Sequence, residues 1–291
     1  AARELGRGVF FSESIDSPGI ESMLDSVTVH VPEICGEGCY EVMADTPCGE
    51  LDPAFCIPKW LGVGYPTLIW HHGSNEKPFD FEAKAKNAFN SIIGPEKRYP
   101  EANIIVLRAP FHACELEEYA EIAVHLRNLV TMLAVSVKLA EHLAAYAKGL
   151  TGERIIFSGI SLGGFVANLH RTFYNSADSY VPLLAGATLS DLFLSGKYKR
   201  LTSKLALENP ENIRKALNFE DDFMKAPDKN VFPLLAEYDR FLPLSTQSGC
   251  YEGHPLETIK RGHITAALSG ELLREHVMRV LIANSPPGPL S

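Results

Sequence analysis

One short segment limits this chain more than any other. Residues Arg154 to Phe157 read as a buried strand. They run through Ser158 into Gly159-Ile160-Ser161-Leu162-Gly163, and a helical pattern follows from Phe165 to Phe173. Strand, tight turn and helix around a Gly-x-Ser-x-Gly pentapeptide put the serine on a strained, exposed turn. Gly159 and Gly163 leave room where a Cβ would crowd the doubled-back chain. The amide of Leu162 opens a helix, so it is free to donate to a developing negative charge.

The remaining patterns alternate between the two periods of regular structure. Val27 to Val31, Thr67 to Trp70, Asn103 to Leu107, Leu183 to Leu189 and Val231 to Glu237 read as strands. Cys39 to Met43 is expected to pair with the first of these as a hairpin, with Ala44 to Lys59 as a cysteine-rich loop. Helical spacing marks Asp80 to Ile93, Glu115 to Lys148 and Glu271 to Ile282, with Gly149 as the stop of the long one. Strands alternating with helices predict a mostly parallel central sheet covered on both faces. Residues 1–291 then form a single α/β domain. The charged, helical stretch Leu192 to Asn230 is expected to be a lid inserted in it, and residues 285–291 a flexible tail.

Charge and composition exclude two classes of function. The net charge is −9, against the clustered cations that a nucleic-acid binder needs. No run of 18 apolar residues occurs, so no membrane span is expected, and Leu129 to Val137 reads as part of a core-facing helix. The sequence opens at Ala1 with no apolar signal region, which leaves the compartment to the cysteines. Cys35, Cys39, Cys48 and Cys56 are clustered, whereas Cys114 and Cys250 stand apart. Disulfides, free thiols and a four-cysteine metal site all remain open. The spacing lacks the paired C-x2-C knuckles of zinc ribbons. Disulfides would point to a secreted or periplasmic protein, and free thiols to a cytoplasmic one.

A serine hydroxyl needs a histidine to take its proton and a carboxylate to orient that histidine. Downstream of Ser161, Asp239 follows a buried strand directly, with Asp191 as its rival. His263 sits in a loop before the last helix, with His254 as the alternative. His125, His142, His170 and His276 fall on helical patterns and read as surface or core-edge residues. His71-His72-Gly73-Ser74 follows a strand end, so the amide of Gly73 or Ser74 would face that of Leu162 across an oxyanion. Adjacent strand residues point opposite ways, which argues against His71 and His72 sharing a metal. Arg108, at another strand end, reads as structural.

In this order the motifs resemble the α/β-hydrolase superfamily, over nearly the whole length from Val27 to Ile282. His72-Gly73 is similar to its oxyanion motif, Gly159 to Gly164 to its nucleophile elbow, Tyr238-Asp239 to Pro243 to its acid loop, and Gly262-His263 to its histidine loop. A His-Gly-Gly-Gly stretch is missing, unlike the hormone-sensitive-lipase branch. The resemblance implies a serine esterase or lipase-like enzyme with no cofactor and no metal, acting on a small-molecule acyl substrate. An acyltransferase with the same three residues, or a non-catalytic binding protein, are the competing expectations. The sequence assigns no oligomeric state.

Overall fold

The computed structural model describes residues 9–82, 85, 87–113 and 122–283. Eleven strands form two sheets: β1 Thr28–His30, β2 Gly38–Glu41, β3 Met43–Thr46, β4 Gly49–Leu51, β5 Ala54–Lys59, β6 Thr67–His71, β7 Asn103–Arg108, β8 Ile155–Ile160, β9 Ser179–Leu183, β10 Leu234–Ala236 and β11 Glu257–Ile259. The main sheet has eight strands in the order β11-β10-β9-β8-β6-β7-β5-β2, and β1, β3 and β4 make a small sheet of their own. From β7 to β11 all neighbours are parallel, while β5 and β2 add an antiparallel edge.

The central strands are buried on both faces, and their side chains alternate between two cores. Ile69, Ile105, Leu107, Ile155 and Phe157 pack with the helices Leu126–Thr151 and Leu162–Phe173. Leu68, Trp70, Ile104, Val106, Ile156 and Ile160 pack with the helices Ala88–Ile92 and Gly270–Ile282. Continuous apolar runs are what two-sided burial requires of a parallel strand. The helix Leu126–Thr151 is long and apolar enough to cross a membrane, but 67% of its most apolar window is buried inside the protein, where it serves as a core helix.

Several elements differ from the sequence reading. Cys39 belongs to β2, which pairs with β5 and not with β1. The partner of β1 is β3, and the segment read as a cysteine-rich loop is mostly strand. Cys39 and Cys56 lie opposite each other in the β2–β5 register and are joined by a disulfide. That pairing rules out a four-cysteine metal site. Cys35 is free and exposed, Cys48 is free and half-buried, and Cys114 lies outside the described residues.

The strand expected at Leu183 to Leu189 is instead Ser179–Leu183. Leu184 adopts φ 55° and turns the chain out of the sheet, so the apolar run beyond it is buried loop. The start expected for the long helix, Glu115, lies outside the described residues, and the helix that holds the core begins at Leu126. It ends one turn past Gly149, where Gly152 takes φ 69° and its amide caps the Lys148 carbonyl. Helix in the expected Asp80 to Ile93 segment is confined to Ala88–Ile92 among the described residues. The 192–230 segment is helical as expected, and the tail 285–291 lies outside the described residues.

Candidate active site

Ser161 stands between β8 and the helix Leu162–Phe173, with φ 52° and ψ −108°. A residue with a Cβ pays to hold that conformation, so the surroundings must impose it. The glycines let them. A Cβ on Gly163 would lie 2.1 Å from the His71 carbonyl oxygen, and one on Gly159 would lie 2.6 Å from the Gly163 backbone. A Cβ on Gly164 would meet the Ala185 methyl at 2.8 Å. Backbone on both sides leaves nothing flexible to yield. Gly163→Ala is therefore expected to lower stability by about 3 kcal/mol or more, or to prevent folding. Thermal unfolding of the purified variant, or its loss from the soluble fraction, checks this.

The acid and the histidine come from neighbouring parallel strands. Asp239 follows the end of β10 by three residues, and His263 follows the end of β11 by four. The pairing of Ala236 with Ile259 continues in the bond from the Tyr238 amide to the Arg261 carbonyl, which brings the two loops side by side. His263 Nδ1 lies 2.6 Å from Asp239 Oδ2, and its Nε2 lies 3.1 Å from Ser161 Oγ. The other carboxylate oxygen of Asp239 accepts from the amides of Phe241 at 2.7 Å and Leu242 at 2.9 Å. An acceptor at Oδ2 places the histidine proton on Nδ1, which leaves the Nε2 lone pair facing the serine hydroxyl. The rivals lie elsewhere. Asp191 opens a short helix, and His254 packs beside Phe223 and Tyr251.

The loop after β6 is held by its own histidines. His72 Nε2 accepts from the Ala109 amide at 3.0 Å, so Nδ1 carries the proton and donates to the Gly73 carbonyl at 2.6 Å. Both nitrogens are spent on backbone. Burial, with His112 and His71 alongside, keeps His72 well below the usual histidine pKa. His71 Nδ1 faces the His72 carbonyl at 3.0 Å, and burial brings its pKa down to about 3. The two rings stack with centroids 4.8 Å apart, contrary to the expectation that they diverge, because His72 is already past the end of β6. No cluster of metal ligands forms among the described residues.

The Glu76 carboxylate accepts from the Ala88 amide at 3.2 Å, and burial is the chief cause of its raised pKa. Ser74 lines the same cavity as Ser161 and Leu162, and Gly73 precedes it in the same loop. Glu76 carried no sequence signal, being one carboxylate in a loop.

The cavity beside Ser161 is small, about 50 Å³ for the centre of a water-sized sphere, and mostly apolar. Its walls include Phe10, Phe11, Phe165, Leu192, Phe193 and Tyr198. One source of this wall, the N-terminal segment, went unread in the sequence. The N-terminal segment reaches it by bonding to the 198–203 stretch, with the Phe10 amide on the Leu201 carbonyl and the Ser203 amide on the Phe10 carbonyl. The start of the 192–230 segment, read from the sequence as part of a lid, supplies Leu192, Phe193 and Tyr198. The far end of that segment is tied down by Arg171, a fully buried guanidinium that donates to the carbonyls of Phe223, Ala226 and Asp228.

Arg108, by contrast, is an outlying structural residue that forks onto Glu41. His170 is fully buried rather than at a core edge, bonded to Tyr180 Oη at 3.0 Å and beside Glu141. Of the other helical histidines, His125 faces Glu13 at the surface and His276 is buried against the Phe232 carbonyl.

The strand order, the elbow after β8 and the loops after β10 and β11 together define the α/β-hydrolase fold. Solved structures bear this out. Acetyl xylan esterase 1 from Thermoanaerobacterium superimposes with a TM-score of 0.60 at 14% identity, over 93% of this chain and 96% of that one. An acetyl xylan esterase from Paenibacillus matches with a TM-score of 0.53 at 14% identity, over 91% and 92%. The acylaminoacyl peptidase of Pyrococcus horikoshii matches with a TM-score of 0.53 at 16% identity, over 90% of this chain but 41% of the peptidase. No family model matches the sequence, and no curated protein does.

Proposed function

We propose that this protein is a serine hydrolase that cleaves carboxylic esters of short acyl groups. The observation that carries the proposal is the hydrogen-bonded row Ser161, His263, Asp239, set on three strand ends beside the amides of Leu162 and Ser74. Ser161 Oγ attacks the acyl carbonyl as His263 Nε2 takes its proton. Asp239 holds the imidazole in place and stabilises its charge. The amides of Leu162 and Ser74 receive the oxyanion, each such donor being worth about 10²–10³ in rate. His263 then gives its proton to the departing alcohol. Water, deprotonated by the same nitrogen, releases the acid from the acyl-enzyme.

Cavity size supports a short acyl group. The hollow beside Ser161 is narrow and walled mostly by apolar and aromatic side chains, which suits a short acyl chain. Esterases among the fold neighbours are in keeping with this chemistry. The 192–230 segment is, on this proposal, the cover of the acyl cavity.

A fluorophosphonate tests the activated serine directly. A single adduct on Ser161, found by mass spectrometry of the digested protein, is the expected outcome. A folded protein that takes no label, or takes it at another serine, would remove the basis for the proposal.

A further inference from the structure

A second concave surface adjoins the site and differs from the first in every respect. It is an open groove lined by Lys197, Lys199, Arg200 and Arg240, with Ser195, Gly196, Leu207, Asp239 and Pro243 completing it. Four cations meet here in a chain of net charge −9. None of the four has a carboxylate within 4 Å among the described residues. The one acidic residue in the groove, Asp239, already spends both oxygens on His263 and on two backbone amides. Mutually repelling charges crowded without counter-charges are a cost to folding, and a bound anion would offset it.

The position of the groove says which part of a substrate would reach it. Phe241 links the groove to the triad. Its ring centroid lies 5.3 Å from that of the His263 imidazole, and Lys197 Nζ stands 5.5 Å from its centre. Tyr198, which lines the acyl cavity, packs edge-on against the same ring. The groove is lined by Asp239, the partner of the histidine, whereas the acyl cavity is lined by Ser161 and Leu162, so the groove lies toward the histidine and the acyl cavity toward the serine. In the hydrolytic cycle the histidine protonates the leaving alcohol, so the alcohol portion of the ester must lie on the histidine side.

We propose that the groove binds an anionic group on the leaving alcohol, so that the substrate is an ester joining a short neutral acyl group to a small carboxylate-, sulfate- or phosphate-bearing alcohol. The proposal rests on the hydrolase assignment above. The cations act by drawing in and orienting the leaving portion, and the cleavage step itself is unchanged. Ser161 Oγ bonds to the acyl carbon, the ester C–O bond breaks, and the anionic alcohol leaves with the proton from His263.

The test compares 4-acetoxybenzoate with phenyl acetate, which share the acyl group and differ in the charge of the leaving portion. The readout is the ratio of their kcat/KM values in the unaltered protein and in a Lys199→Gln, Arg200→Gln double variant. Intrinsic reactivity cancels between proteins. The ratio is expected to fall about tenfold in the variant, and to fall likewise in the unaltered protein when salt is raised from low to about 0.5 M. Calorimetric titration with 4-hydroxybenzoate gives a second readout that needs no turnover, with saturable binding expected in the unaltered protein and lost in the variant. A ratio unchanged by both the substitutions and salt overturns the groove proposal while leaving the hydrolase assignment standing. If the unaltered protein cleaves neither ester, the hydrolase assignment falls. Binding of 4-hydroxybenzoate that the variant loses would then keep the groove as an anion site, and absence of binding would end both.

Discussion

Ser161→Ala is expected to reduce turnover of p-nitrophenyl acetate by about 10⁵–10⁶-fold while the protein stays folded. The size follows from the site acting as a unit. Without the hydroxyl, His263 and Asp239 have nothing to activate, and what remains is the binding surface and the oxyanion amides. Alanine retains the Cβ, so the strained φ of 52° at the elbow is no more and no less costly than before. An unchanged far-UV spectrum and melting temperature should accompany the loss. Residual turnover within tenfold of the parent would show that another residue is the nucleophile.

Asp239→Asn is expected to cost about 10⁴-fold in kcat with little change in structure. The asparagine can still accept from the amides of Phe241 and Leu242, which hold Oδ1 at 2.7 and 2.9 Å, provided its oxygen takes that place. Its NH2 then faces His263 Nδ1, where Oδ2 now stands at 2.6 Å. A donor in that position moves the imidazole proton to Nε2, and the nitrogen facing Ser161 can no longer accept one. Steady-state kinetics across pH would separate this from a loss of packing. Activity of the variant should rise at alkaline pH, where hydroxide substitutes for the missing base, whereas an unfolded variant would show no such recovery.

What could be read from residues alone was whatever depended on neighbours in sequence. The elbow was legible because five consecutive residues carry it, and the steric demand on Gly159 and Gly163 is local. Asp239 and His263 were singled out by the order of motifs, and the structure brings both to Ser161. The strand that positions His263, β11, escaped notice because Glu257–Ile259 is three residues long with two of them exposed. Its pairing with β10 gives it meaning, and pairing is not written in the segment itself. The same holds for Cys39 and Cys56, whose partnership follows from the register of β2 on β5 and not from spacing. Gly73 and Ser74 are not separated by the sequence, since both follow the same strand end within two residues. The aromatic wall from Phe10 and Tyr198 joins segments nearly 190 residues apart.

The helix Leu162–Phe173 begins at the nucleophile and, near its other end, carries Arg171 into the core. The Arg171 guanidinium is held by carbonyl oxygens of residues 223–228, by Asn230 and by the face of Phe223. The 192–230 segment is thus no detachable accessory. Engineers who excised it, as one would lift a cap off a vessel, would strip the elbow helix of the wedge that fixes its far end. Remodelling of substrate scope is better confined to the first part of the insertion, around Leu192 to Tyr198, where side chains face the cavity and the anchor is left alone.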